Sequence, residues 1–254
     1  LQRHSNRRIL ITGAANGIGR ATAAFFAREG AKLCLLDLPD TGIAEVAREF
    51  GDPATIMSFE ASVTEETAVE AAVEAMVQRF GGIDAVVNSA GVVAVEPALE
   101  VAADDFRRVI DINLVGTWLV CKAAASRMMS QGGGAIVNIS SVYGFQGAPK
   151  RTAYCASKGA VISLTDSLAV EWGKLGIRVN SVAPTGTRTP MVRDLIDRGI
   201  YDLDGVSRKT PLGRLAEPEE VAAACGYLVS DDAAMVTGHH LRIDGGWLAN
   251  GYPT

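Results

Sequence analysis

The chain has 254 residues, 48% hydrophobic and 21% charged, enough to bury the core of one α/β domain. Its 24 basic and 29 acidic residues give a net charge of -5 with no basic block, so neither a nucleic-acid nor an anionic-membrane surface is expected. Cys34, Cys121, Cys155 and Cys225 are scattered without a metal-type pair and read as buried thiols. No unbroken apolar run reaches the ~18 residues of a membrane span.

The opening "LQRHSNRR" is polar and basic, and reads as a disordered leader or trimmed terminus with no apolar stretch of a secretion signal. A cytoplasmic location follows as the expectation. Seven short, β-branched runs then read as strands, at residues 8–12, 32–37, 54–59, 84–89, 135–140, 178–183 and 240–244. Amphipathic stretches at 17–30, 41–50, 64–81, 103–130, 152–176 and 217–230 read as helices. Several strands are apolar on both faces, and alternation of such strands with helices predicts a doubly wound parallel sheet covered on both sides. Residues 185–216 break the rhythm, with glycines, prolines and mixed charge, and are expected to form a lid at the C-terminal edge of the sheet.

After the first strand, "ILITGAANGIGRA" opens a helix with Gly13, Gly17 and Gly19 in the turn. Glycines there let the backbone approach a pyrophosphate, which unpaired N–H groups of the helix N-terminus stabilise. Asp37 ends the next strand, where a carboxylate can accept from adenosine ribose hydroxyls and repels a 2′-phosphate. No cation follows it, and Asn16 stands where one could have met a phosphate, so NAD is favoured over NADP.

"TAYCASKGA" puts Tyr154 and Lys158 on one helix face, and Ser141 lies at the end of the preceding strand. A phenol with pKa near ~10 is a poor base at neutral pH. A neighbouring ammonium, joined by an oxidised nicotinamide, favours the phenolate, which can then exchange a proton with an alcohol or ketone while hydride moves. Ser141 could hold the reacting oxygen. His4, His239 and His240 are far from this segment, and there is no GxSxG turn, which disfavours a serine hydrolase; metal-ligand spacings are also absent.

Taken together, "TGAANGIG", Asp37, "NSAG", "DINLVG", "VNISS", "YCASK" and "VAPTGTRTPM" resemble the short-chain dehydrogenase/reductase family over about residues 7–247. The resemblance implies a single-domain Rossmann fold with a seven-stranded sheet, and a tetrad in which Ser141 orients the substrate oxygen and Tyr154 is the acid/base. In it Lys158 tunes Tyr154 and holds the nicotinamide ribose, and Asn113 holds a relay water. It further implies dinucleotide contacts from Gly13, Asn16, Gly17, Ile18, Gly19, Asp37, Ser62, Val63, Asn88, Ala90, Gly91, Tyr154, Lys158, Pro184, Thr187 and Thr189. A homotetramer is implied as well, with the apolar stretches of helices 103–130 and 152–176 as subunit faces or sheet cover. The C-terminal "DGGWLANGYPT" is expected near a neighbouring subunit or the substrate entrance.

Three positions depart from the family pattern: Ser89 in "NSAG", Ser62 where an aspartate usually meets the adenine, and Thr185 after Pro184. Ser62 predicts weaker adenine anchoring, with Val63 still offering its backbone, and Thr185 is expected beside the nicotinamide. Val92, Val93, Tyr143, Phe145, Gln146, Thr185, Met191, Leu195 and Tyr201 are the expected substrate border. The set is mostly apolar with no conspicuous cation apart from Arg188 and Arg193, which predicts a neutral secondary alcohol, polyol, sugar or cyclic ketone. Two other readings compete: an NADPH-linked 3-oxoacyl reductase, opposed by Asp37, and a non-catalytic dinucleotide sensor, opposed by the intact tetrad.

Overall fold

The structure, a computed structural model, describes residues 3–251. Seven strands form one parallel sheet in the order β3-β2-β1-β4-β5-β6-β7. They are β1 (Arg8–Thr12), β2 (Lys32–Asp37), β3 (Ile56–Glu60), β4 (Ala85–Asn88), β5 (Gly134–Ile139), β6 (Ile177–Pro184) and β7 (His240–Ile243). All seven expected strands are present, displaced by no more than two residues at either end. The order reverses direction between β1 and β4, where an open α/β sheet leaves a crevice at its strand ends.

Strand periodicity explains the two cores. Ile9 and Ile11 of β1, Leu33 and Leu35 of β2 and Ala85 and Val87 of β4 face one layer. Leu10, Cys34 and Val86 face the other. Successive side chains point to opposite faces, so strands apolar at every position must be covered on both. The first layer is closed by α1 (Gly17–Arg28), α2 (Ile43–Phe50) and α9 (Pro218–Val229). The second is closed by α3 (Glu66–Phe80), α5 (Gly116–Gln131) and α6 (Thr152–Trp172). Cys34, Cys121 and Cys225 are buried in these layers, and burial pushes each thiol up to about 12, so none is a nucleophile at neutral pH.

Two expectations are corrected. The helix expected over 103–130 divides into α4 (Ala103–Ile110) and α5, joined by a π-turn at Asp111–Val115. Counted as one, Ala103–Gln131 is long and apolar enough to cross a membrane, yet Leu119, Val120, Cys121, Ala124, Ala125 and Met128 spend its apolar face on the sheet.

The second correction concerns the leader, of which Leu1 and Gln2 lie outside the described residues. From Arg3 onward it is packed: His4 is buried edge-on against Phe26, at 4.9 Å between ring centres. Arg3 pairs with Asp232 at 3.2 Å and Arg7 with Asp231 at 2.5 Å.

The segment 185–216, expected as a lid, contains two short helices, α7 (Pro190–Asp197) and α8 (Leu203–Lys209). Thr189 caps α7 by accepting from the Val192 N–H, with Pro190 at its first position, and Asp202 caps α8 through Gly205 N–H. Val206 and Leu215 of this segment pack with Val142 and Trp247. The last three residues of the C-terminal stretch, 252–254, lie outside the described residues, while its Trp247 is buried.

Candidate active site

The turn between β1 and α1 is forced shut by contacts only glycine allows. Gly13 has φ +64°, and a Cβ there would stand 2.8 Å from the Ala90 backbone. A Cβ on Gly19 would stand 2.0 Å from the Gly13 carbonyl oxygen. Thr12 ties the two strand ends together, its hydroxyl accepting from the N–H groups of Ser89 and Ala90 at 3.1 and 3.2 Å. The side chain of Asn16, at the N-cap of α1, caps nothing, so the first amides of α1 remain free to meet an anion. Asp37 closes the turn from β2, accepting from Ala15 N–H and Leu38 N–H, both at 2.8 Å.

These elements surround a cavity of about 330 Å³. Gly13, Asn16, Gly17, Ile18, Asp37, Ser62, Val63, Ala90, Gly91 and Thr189 line it, and Tyr154 and Lys158 share its wall. Arg108 and Ile112 also border it, and sequence reading missed both. Arg108 stands on α4 and Ile112 in the π-turn that follows it, and the sequence carries no distinct signal for such a turn.

Tyr154 and Lys158 stand one turn apart on α6, with the Lys158 Nζ 5.7 Å from the Tyr154 ring centre. The ammonium donates to the Ile139 carbonyl oxygen at 2.7 Å, and burial lowers its pKa to about 8. Burial pushes the Tyr154 phenol up to about 12, and a hydrogen bond with the Ser141 side chain opposes that rise. Ser141 is fixed at the start of a short turn, where its Oγ accepts from Tyr143 N–H at 3.2 Å. Asn113 is fully buried in the π-turn. Its Oδ1 accepts from Val92 N–H at 2.8 Å, and its Nδ2 donates to Val92 O and Ser157 Oγ, both at 3.0 Å.

Other anticipated residues are placed elsewhere. Gly19 is sealed beneath the turn, and Asn88 donates to Asn138 Oδ1 at 2.9 Å and to Cys121 Sγ inside the sheet layer. Pro184 ends β6, and Thr187 is buried, donating to the Thr185 carbonyl oxygen at 3.0 Å. Thr185 lines a separate small cavity with Arg214 and Arg242, its hydroxyl unpartnered among the described residues. Gln146 is held by the lid: its amide oxygen accepts from Lys209 Nζ at 3.1 Å and Trp247 Nε1 at 2.6 Å. Val93 is half-buried on the loop after β4, and Tyr143 stands edge-on to Trp247 at 6.3 Å. Of the cations considered from sequence, Arg188 is paired with Glu217 at 2.9 Å.

A glycine cradle at a parallel-sheet crevice, with a tyrosine and lysine on its wall, defines a dinucleotide-binding oxidoreductase site. The chain belongs to the short-chain dehydrogenase/reductase family, whose members use a nicotinamide dinucleotide. A family profile described as Enoyl-(Acyl carrier protein) reductase matches residues 13–248. The chain is 43% identical over 248 residues to an uncharacterized short-chain type dehydrogenase/reductase of Sinorhizobium fredii, covering 97% of this chain but 44% of that relative's length. It is 42% identical over 241 residues to D-threitol dehydrogenase of Mycolicibacterium smegmatis, covering 94% of this chain and 91% of that protein. The crystal structure of levodione reductase superposes with a TM-score of 0.92 at 36% identity, covering 98% of this chain and 100% of that one.

Proposed function

We propose that this protein is an NAD-dependent dehydrogenase interconverting a secondary alcohol and its ketone, with Ser141, Tyr154, Lys158 and Asn113 as its working set. The observation that carries the reading is the single wall on which Tyr154 and Lys158 adjoin the glycine turn and Asp37. The cradle fits a dinucleotide: a Cβ at Gly13 would fill the approach to Ala90, and the free first amides of α1 suit a pyrophosphate. Asp37 would accept from the ribose hydroxyls, while Val63 offers backbone to the base.

A dinucleotide held by the glycine turn and Asp37 would supply the hydride acceptor for the carbinol carbon. Tyr154 as phenolate receives the hydroxyl proton of the same alcohol, so one C–H and one O–H bond break as the ketone forms. Ser141 holds the reacting oxygen. The buried ammonium of Lys158 stabilises the phenolate, offsetting the burial that otherwise keeps the phenol neutral. Asn113, with its side chain committed to Val92 and Ser157, positions the π-turn, and its carbonyl oxygen, which accepts from Thr117 Oγ1 at 2.8 Å, keeps a second lone pair for a relay water near Lys158.

The relatives, a threitol dehydrogenase and a levodione reductase, support a secondary alcohol or ketone as substrate class. The profile description keeps an acyl substrate with NADPH as the second reading, opposed by Asp37. Exposed Trp118 on α5 and Val170 on α6 suit the subunit faces of a homotetramer. The test follows NADH formation from NAD⁺ over a panel of secondary alcohols, with NADP⁺ in parallel and Tyr154→Phe as control. Turnover with NAD⁺ that vanishes in the variant supports the reading; turnover with NADP⁺ alone overturns the cofactor assignment. Tight NADH binding without turnover would favour the sensor.

A further inference from the structure

The charges around Tyr154 are one-sided. Arg151 stands at the N-cap of α6, three residues before Tyr154, with its guanidinium 5.6 Å from the centre of the Tyr143 ring. Its one side-chain hydrogen bond among the described residues runs to the Pro149 carbonyl oxygen at 3.3 Å, and no carboxylate pairs with it. The Tyr143 ring meets Trp247, and Lys209 Nζ lies 4.3 Å from the centre of the Trp247 ring. Lys209 also has no acidic partner among the described residues, only the amide of Gln146. Two cations therefore flank an aromatic pair beside Ser141, in a chain whose net charge is -5.

The hydroxyls nearby are equally unspent. Neither Tyr143 nor Tyr201 has a hydrogen-bond partner for its hydroxyl among the described residues, and the Tyr201 oxygen lies over Gly186, where a Cβ would meet it at 1.8 Å. The Arg151 charge acts on Tyr143, Tyr154 and Tyr201 alike, drawing each hydroxyl down against burial. Beyond the bond to Pro149, the guanidinium's other N–H groups have no partner among the described residues, and its planar fork matches carboxylate, sulfonate or phosphate oxygens. Such an uncompensated patch also draws anions toward the site.

We infer that the substrate is an anionic secondary alcohol or ketone, whose reacting oxygen meets Tyr154 and whose charged oxygen group is held by Arg151, with Lys209 adding a second positive charge. This rests on the dehydrogenase reading above and departs from the neutral substrate expected from sequence, which weighed neither cation.

The test uses Tyr154→Phe protein loaded with NADH, so that binding is read without turnover. It is titrated calorimetrically with 3-oxobutyrate, 2-oxopropanesulfonate and 2-oxopropyl phosphate, and with neutral 4-hydroxybutan-2-one. At least one anion should bind about tenfold or more tighter than the neutral ketone, as charge-assisted bonds permit, and its identity distinguishes the three headgroups. Adding Arg151→Met should erase most of that preference with the melting temperature kept within a few degrees, and Arg151→Lys should retain part of it. A neutral ketone bound as well as every anion, or a preference that survives Arg151→Met, overturns the inference. Failure of NADH itself to bind would sink the dehydrogenase reading; the same titrations on unloaded protein would then decide the anion site separately, by the same two outcomes.

Discussion

The ammonium of Lys158 donates to the carbonyl oxygen of Ile139 at 2.7 Å, which anchors the lysine of α6 to the C-terminal end of β5. Burial holds its pKa at about 8 against an ordinary 10.5. Between those values the unfolded chain binds more protons than the folded one, so this group makes stability rise with pH from about 8. Tyr154 acts in the opposite sense, its pKa raised from 10.0 to about 12, but only above pH 10. Lys158→Met should therefore flatten the rise in melting temperature between pH 8 and pH 10, and should lower alcohol oxidation by ~100-fold or more. An unchanged pH slope would show that the lysine is not buried as a charged group.

Gly13→Ala tests the cradle without touching a titratable group. The substituted residue would keep φ +64° and press its Cβ to 2.8 Å from the Ala90 backbone. Left-handed backbone for a non-glycine residue costs on the order of 1–3 kcal/mol, and the rigid neighbour adds to it. Thermal melts should show a loss of stability of at least that order, with NADH affinity, read by fluorescence, falling further. An alanine that binds NADH normally would mean the turn relaxes, and that Gly13 does not shape the pyrophosphate site.

His4 should give the protein an acid-sensitive limb. Its ring is buried against Phe26, and its Nδ1 has no partner among the described residues. Burial first, then the Arg7 charge, lowers its pKa from 6.5, with Glu29 pulling the other way. The unfolded chain consequently takes up the proton more readily, so stability falls as pH drops through 6.5 and below. His4→Leu should remove part of the loss in melting temperature between pH 7 and pH 5. A variant whose slope between pH 7 and pH 5 matches the parent would show that His4 does not set it; Asp84, lowered from 3.8, acts only at more acid pH.

What the sequence disclosed and what it hid divide by range. Strands such as Leu33–Leu36 are apolar at each position, and no surface strand tolerates that, so the sheet was legible in full. The glycine turn and the Tyr154–Lys158 pair were legible for the same reason, because both are local patterns with one chemistry. The packed leader was not: Arg3 and Arg7 read as solvated until residues more than two hundred positions later, Asp232 and Asp231, come to meet them, and His4 reads so until α1 brings Phe26 against it. The lid helices announced themselves only through the caps Thr189 and Asp202 in a segment dominated by breakers. Arg151 and Lys209 each resembled ordinary surface cations, because the missing counter-ion is a property of the fold rather than of any window of sequence.

Asp37 should set which dinucleotide the turn accepts. Its oxygens accept from the Ala15 and Leu38 N–H groups at 2.8 Å, which aims the carboxylate along the cavity wall that the adenosine ribose would occupy. Each carboxylate oxygen has a second lone pair, so ribose hydroxyls can still be accepted with the turn intact. A 2′-phosphate in the same place would meet like charge, a juxtaposition worth several kcal/mol when partly dehydrated. Shape and charge can be separated by two substitutions. Asp37→Asn keeps an oxygen for Ala15 N–H and removes the charge; Asp37→Ser removes bulk as well. If charge decides, the NADP⁺ to NAD⁺ ratio of kcat/KM should rise about tenfold or more in Asp37→Asn, with little further gain in Asp37→Ser. If the ratio moves only in Asp37→Ser, the carboxylate excludes the phosphate by volume, and a parent that already prefers NADP⁺ would remove the NAD assignment altogether.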